Sequence, residues 1–326
     1  MGGILSFPKI FISCVIVLFL GIGIAGVVKK KSKEGEVVSV QELVVQEEQT
    51  QEKNSELLQV TNVCEEKKKT KDRIRLFFSR GMDKLPIVET ITYTSRVSWL
   101  KGRPAWIADY ASHFETSRHF IARSLNGRPD YLSQRVAPGD KFNVFRLDKN
   151  INFYLLVDLK ACSMDFYYLD YDNDERVFIK SYPIGVGRLD DYSPSGSLTP
   201  IGKYSLGGKV AIYKPGVEHY FQNQKTHMIE VFGTRWLPFE RELENCSDSA
   251  KGYGIHGVPC NYEPETEVLS EMENILGTYT SDGCIRLKKD DIEELFSIVI
   301  TKPTIVEIVK NKSEAVLPMA KENNLE

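Results

Sequence analysis

Two residues of this 326-residue chain are placed to do nucleophilic chemistry, His256 and Cys284. The histidine lies in Gly254-Ile255-His256-Gly257. The cysteine lies in Ser281-Asp282-Gly283-Cys284-Ile285-Arg286-Leu287, with a cation shortly after the thiol. A thiol is a poor nucleophile until it becomes a thiolate, and a neighbouring imidazole is the usual means of taking its proton. Glycines beside both groups let backbone N–H groups approach a substrate carbonyl, as stabilisation of an oxyanion requires. The pair therefore reads as an acyl-transfer couple. Single histidines and cysteines are more often structural, so the elements that position these two must decide.

Composition narrows the field. A net charge of −3 argues against nucleic acid as a partner, since phosphate binding needs a basic field. The six cysteines are too scattered for a disulfide scaffold and none form a Cys-x-x-Cys pair. His219, His227, His256, Cys260 and Cys284 have no recognisable ligand spacing, so neither a metal nor another cofactor is expected. Cys246 and Cys260 flank the segment that enters His256 and are expected to be free thiols. A papain-like arrangement fails on order, because there the cysteine precedes the histidine.

Ile10 to Val28 is an apolar run long enough for a transmembrane helix, with Lys9 before it and Lys29, Lys30, Lys31 and Lys33 after it. Residues 1–31 are expected to form a membrane anchor, or a signal peptide if cleaved near Gly23-Ile24-Ala25. Residues 32–72 are rich in Glu, Gln and Lys and read as a disordered spacer. Order resumes near Arg73. Ile87 to Trp99 predicts a strand, and Ala105 to Phe114 predicts a helix from its apolar spacing. Thr116-Ser117 can cap a second helix that stops at Asn126-Gly127, and Lys141 to Phe145 predicts a further strand, completing a βααβ unit over 86–147.

Residues 151–310 are mainly β. Strands are expected at 153–159, 164–169, 176–182 and 304–309, with one helix from Lys289 to Ile300 ahead of Pro303. Glu265 to Leu276 looks helical and reads as an inserted lid, or equally as a passive surface insertion, between the histidine and the cysteine. Residues 311–326 form a tail expected to fray from Met319 onward.

The βααβ unit resembles a LysM module, through Ile107-Ala108, Ala111, Phe114, Thr116-Ser117, Leu125-Asn126-Gly127 and Val136-Ala137-Pro138-Gly139-Asp140-Lys141. The resemblance implies binding of peptidoglycan glycan. The second half resembles the L,D-transpeptidase catalytic domain of the YkuD type. The motifs are Val157-Asp158-Leu159, Ser181-Tyr182-Pro183-Ile184-Gly185-Val186-Gly187, Thr199-Pro200-Ile201-Gly202-Lys203-Tyr204, Phe232-Gly233-Thr234-Arg235-Trp236, Gly254-Ile255-His256-Gly257 and the Ser281–Leu287 run. That resemblance implies a mainly β sandwich or barrel and a cysteine acyltransferase acting on peptidoglycan stem peptides, open to carbapenem-type β-lactams as inhibitors. Cys284 would be the nucleophile and His256 the base. The N–H groups of Gly283 and Cys284 would hold the oxyanion, and Ser281 would bond within the loop. Arg286 would orient the loop or pair with a stem-peptide carboxylate. Gly257, Tyr253 and Trp236 would border the substrate.

The acceptor could be an amine, giving a 3→3 cross-link, or water, giving an L,D-carboxypeptidase, or a protein lysine. Asp282 stands where the family often has a histidine, and a carboxylate beside the thiolate disfavours it. The competing reading is therefore an inactive wall-binding protein. The implied chemistry places the domains in the periplasm on an inner-membrane anchor. The lysines after the apolar run favour the opposite orientation by the positive-inside bias, and the chemistry is given the greater weight.

Overall fold

The computed structural model describes residues 72–126, 131, 135–221, 223–263, 265–319 and 321–322. The expected anchor and spacer lie outside them. Among the described residues no helix is long and apolar enough to cross a membrane.

The chain enters through a helical turn, α1 (Arg75–Phe78), and the βααβ unit follows as β1 (Val88–Thr92), α2 (Ile107–His113), α3 (Arg118–Asn126) and β2 (Lys141–Phe145). β1 and β2 pair antiparallel, Val88 opposite Phe145 and Thr92 opposite Lys141. The first strand is shorter than its β-branched run predicts, because at Tyr93 the backbone turns to bond Asp140 and Gly139 in the loop before β2. Ser117 caps α3 through His119 N–H at 3.0 Å, while Thr116 accepts the Phe145 N–H at 2.9 Å and ties the cap to β2. The unit has a small core of its own around Tyr93, Tyr110, Ile121 and Phe142. Its opposite face joins the main core, where the Phe77 ring stacks on Phe166 with centroids 6.1 Å apart.

The second half begins with a meander, β3 (Ile151–Asp158), β4 (Ser163–Asp170) and β5 (Glu175–Pro183), then the short β6 (Val186–Gly187). β7 (Gly202–Leu206) and β8 (Ala211–Ile212) lead to a hairpin of β9 (Glu218–Phe221) and β10 (Gln224–His227), then one helical turn, α4 (Ile229–Phe232). The long β11 (Arg235–Glu244) and β12 (Gly254–Gly257) follow. A second hairpin of β13 (Cys260–Glu263) and β14 (Val268–Glu271) leads to β15 (Tyr279–Ser281) and β16 (Ile285–Leu287). The chain closes with α5 (Lys289–Val299), β17 (Thr304–Val309) and β18 (Lys321–Glu322).

These strands make a mixed sheet in the order β16-β12-β11-β7-β17-β3-β4-β5-β18, with β8 on β11. Its two ends meet. Gly185, just past β5, exchanges both backbone hydrogen bonds with Arg286 in β16, at 2.9 and 2.8 Å. The sheet thus curls into a barrel-like wall, and α5 packs Ile292, Leu295, Phe296 and Val299 into its core. β4 is buried on both faces: Met164, Phe166 and Tyr168 enter the main core, and Tyr167 and Leu169 enter a second cluster.

Two expectations are corrected. Glu265 to Leu276 is not helical; it contains β14, which folds back on β13 with Leu269 opposite Tyr262. Left-handed backbone at Glu267 and Asn274 breaks any helix there, whatever the glutamate-rich composition favours. The segment after Val309 does not fray at Met319. Ala315, Leu317 and Met319 cover the second face of the sheet, Arg176 Nη1 donates to the carbonyls of Pro318 and Met319 at 2.8 Å, and β18 pairs in parallel with β5. Cys246 and Cys260 are free thiols.

Candidate active site

His256 is the third residue of β12, between β11 and β16. Trp236 is its partner on one side and Arg286 on the other. Laterally paired residues project from the same face of a sheet, so β11, β12 and β16 put an indole, an imidazole and a guanidinium in one row. Cys284 precedes β16 on the side of Arg286, by the two-residue period of a strand.

The imidazole is 3% exposed. Its Nδ1 lies 2.7 Å from the carbonyl oxygen of Gly257, and a carbonyl can only accept, so Nδ1 carries the proton. Nε2 is left with a lone pair, the tautomer a general base needs. The Phe232 ring stands edge-on to the imidazole at 5.2 Å and the Trp236 ring at 5.9 Å. Burial lowers the His256 pKa to about 4, helped by the Arg286 charge and opposed by the Gly257 and Phe232 carbonyls.

The Cys284 thiol is half-buried and donates to the Gly252 carbonyl at 3.7 Å. Burial raises its pKa to about 11; the Gly254 backbone and Arg286 act against that rise, and Asp282 adds the smallest contribution to it. At neutral pH the pair is consequently a thiol and a neutral imidazole, not a thiolate–imidazolium ion pair.

The loop bearing the thiol is fixed from several directions. Ser281 is buried, accepts the Gly283 N–H at 3.1 Å and donates to the Cys284 carbonyl at 2.6 Å. β15 pairs in parallel with β6, which sets Ser281 against Gly187. Gly283 has φ +111°, and a Cβ there would lie 2.5 Å from the Tyr253 ring and 2.6 Å from the Leu198 carbonyl. Only glycine fits beneath that ring. Tyr253, held by a hydrogen bond to Asp248 at 3.0 Å, thus packs on the loop.

These contacts change one expected role. The Gly283 N–H is committed to Ser281, so it is not free to hold an oxyanion. The Cys284 N–H donates to no group among the described residues and is the donor left for that task. Asp282 points outward and pairs with Arg188 at 2.6 Å, both side chains exposed. Arg286 differs: it is half-buried, forms no ion pair among the described residues, bonds only Thr280 Oγ1 at 3.4 Å, and leaves its Nε without a partner. Its planar fork is thus available to a carboxylate. Phe232, Gly252 and Arg188 escaped the sequence reading as site residues. Only Phe232 carried a signal, as the start of the run ending in Trp236. Among the described residues no group of acidic, histidine or cysteine side chains could hold a metal ion.

The fold and site describe a curled mixed sheet presenting a cysteine and a tautomer-fixed histidine at the line where its ends meet. Residues 152–308 match the family model of YkuD, the L,D-transpeptidase catalytic domain, and this part of the chain is a domain of that family. No curated protein matches the chain. Among solved structures it is similar to Bd1075 of Bdellovibrio bacteriovorus, at 18% identity over 50% of this chain and 51% of that one, with a TM-score of 0.34. It is also similar to Pgp2, the helical cell shape determining protein of Campylobacter jejuni, at 18% identity over 53% and 51%, with a TM-score of 0.33. The similarity thus spans about half the length of each of those chains.

Proposed function

We propose that the chain is a peptidoglycan L,D-transpeptidase that forms 3→3 cross-links through a Cys284 thioester. The observation that carries this reading is the His256 tautomer: Nδ1 is tied to Gly257, and Nε2 remains an acceptor on the face shared with Arg286. A stem tetrapeptide would enter with a carboxylate on the unpaired Arg286 and its scissile carbonyl over Cys284. As Sγ attacks the carbonyl carbon, His256 Nε2 takes the thiol proton, so charge separates only in the transition state. The Cys284 N–H supports the oxyanion. Collapse breaks the bond to the terminal D-residue, whose amine leaves with the proton from His256. An acceptor amine then attacks the thioester, gives its proton to His256 and regenerates the thiol. Asp282 is compatible with this cycle because its carboxylate is drawn to Arg188 and into solvent.

The βααβ unit would hold glycan as a LysM-like module, and the N-terminal apolar run would anchor the protein with its domains in the periplasm. A C-terminal alkaline phosphatase fusion should be active; a stable, inactive fusion would reverse the orientation. For the chemistry, intact mass should show one carbapenem adduct on the wild type and none on Cys284→Ala. An unmodified wild type that is demonstrably folded would overturn the enzyme reading.

A further inference from the structure

A cavity of about 800 Å³ lies where the βααβ unit meets β8 of the catalytic half. That volume is within the range of small-ligand sites. Tyr93, Ala122 and Ile212 give it an apolar wall, and Trp106, 67% exposed, stands at its edge. Arg118, Arg135 and Lys214 also line it, all exposed, and among the described residues no carboxylate does. Arg118, Arg135 and Lys214 have no ion-pair partner among the described residues. In a chain of net charge −3, such a concentration of uncompensated positive charge over an apolar wall selects for an anion.

The cavity lies on the other side of the sheet from the imidazole: its wall residue Ile212 pairs with Arg235, whereas Ala211 pairs with Trp236 and Trp236 with His256, so Ile212 and His256 project from opposite faces.

We propose that this cavity is a second binding site, for a peptide that carries free carboxylates. Arg118, Arg135 and Lys214 receive the carboxylates and the apolar wall receives the aliphatic side chains. The identification of that peptide as a wall stem rests on the transpeptidase reading; the preference for an acidic peptide does not. The test uses the purified full chain with Cys284→Ala, which performs no acyl transfer, and follows Trp106 fluorescence and titration heat. The probes are a stem tetrapeptide, the same peptide with every carboxylate amidated, and a neutral N-acetylglucosamine tetramer.

The tetrapeptide should bind saturably, and a Trp106→Phe variant should lose the fluorescence change while keeping the heat. Arg118→Ala, Arg135→Ala and Lys214→Ala should each weaken binding about fivefold at low salt, the range of an exposed ion pair. Amidation should abolish the Trp106 fluorescence change. No saturable binding, equal binding of the amidated peptide or the neutral glycan, or indifference to all three substitutions would overturn the proposal. If a substitution to alanine unfolds the chain, Lys214→Glu at the edge gives the same readout. Failure here leaves the carbapenem adduct unaffected, and failure of that adduct leaves this titration unaffected, so the two readings fall separately.

Discussion

The neutral state of the Cys284–His256 pair has a measurable signature. With the thiol pKa raised to about 11, the thiolate fraction at pH 7 is about one in ten thousand. A free cysteine near pKa 8.5 holds about 3% at that pH, roughly 300 times more. Alkylation of Cys284 by iodoacetamide should therefore be slow at neutral pH and climb about tenfold per pH unit from 7 to 10. Modification is read on the peptide that carries Cys284, by mass, which separates it from Cys246 and Cys260. His256→Ala should not abolish this rise, because the imidazole, at about 4, is already neutral throughout that range. A rate that is high and flat between pH 6 and 8 would mean a preformed thiolate–imidazolium pair. That result would refute the neutral pair and the transition-state proton transfer drawn from it.

Other perturbations follow from the same contacts. Gly283→Ala forces a Cβ against Tyr253 and Leu198 at φ +111°. It should cost about 2–4 kcal/mol in urea unfolding, and a loss below about 0.5 kcal/mol would show that the loop can move aside. His256 and His119 are held neutral by burial, each lowered to about 4. Their stabilisation is complete above about pH 6.5 and is lost as pH falls toward 4, by up to about 3 kcal/mol each. His119→Phe should flatten that acid limb in a pH series of melting temperatures, and an unchanged limb would exclude His119 from it. Asp282→Asn breaks only an exposed ion pair with Arg188. It should change stability by less than about 1 kcal/mol and slightly quicken Cys284 alkylation; a large loss of stability would contradict the exposed geometry. Arg286→Lys keeps the charge but loses the fork, and should raise KM for a carboxylate-bearing donor by about tenfold with the fold intact. An unchanged KM would remove Arg286 from substrate binding.

Much of the fold was legible because its signals are local. The β-branched and aromatic runs at 153–159, 164–169, 176–182 and 304–309 became β3, β4, β5 and β17 within a residue or two at each end. The apolar period of Lys289 to Ile300 became α5. Misreadings arose where tertiary contacts overrode composition. Glu265 to Leu276 has helix-forming residues, yet Glu271 is drawn away to accept the Lys289 N–H at 2.6 Å and the segment folds back as a hairpin. The tail reads locally as one that frays from Met319, but every second residue from Ala315 to Met319 covers a sheet face whose need for cover no local pattern reveals. At the site, the proximity of His256 to the Cys284 strand was suggested by motif, whereas their register, the Nδ1 bond to Gly257 and the Arg188–Asp282 pair exist only once β12 lies beside β16. Commitment of the Gly283 N–H to Ser281 was equally invisible, since it depends on a turn and not on a residue type.

The bridge between Gly185 and Arg286 makes the reactive stretch the seam of the barrel. A seam is the part of a closed sheet held by the fewest strand-to-strand bonds, so it opens at a lower free energy than the meander of β3, β4 and β5. Fluctuations that part it would separate Arg286 from its neighbours while leaving the hydrophobic core intact. The proposed chemistry should therefore fail before folding does on mild heating. Hydrogen exchange at the Gly185 and Arg286 amides would report the competence of the site more faithfully than any global melting curve.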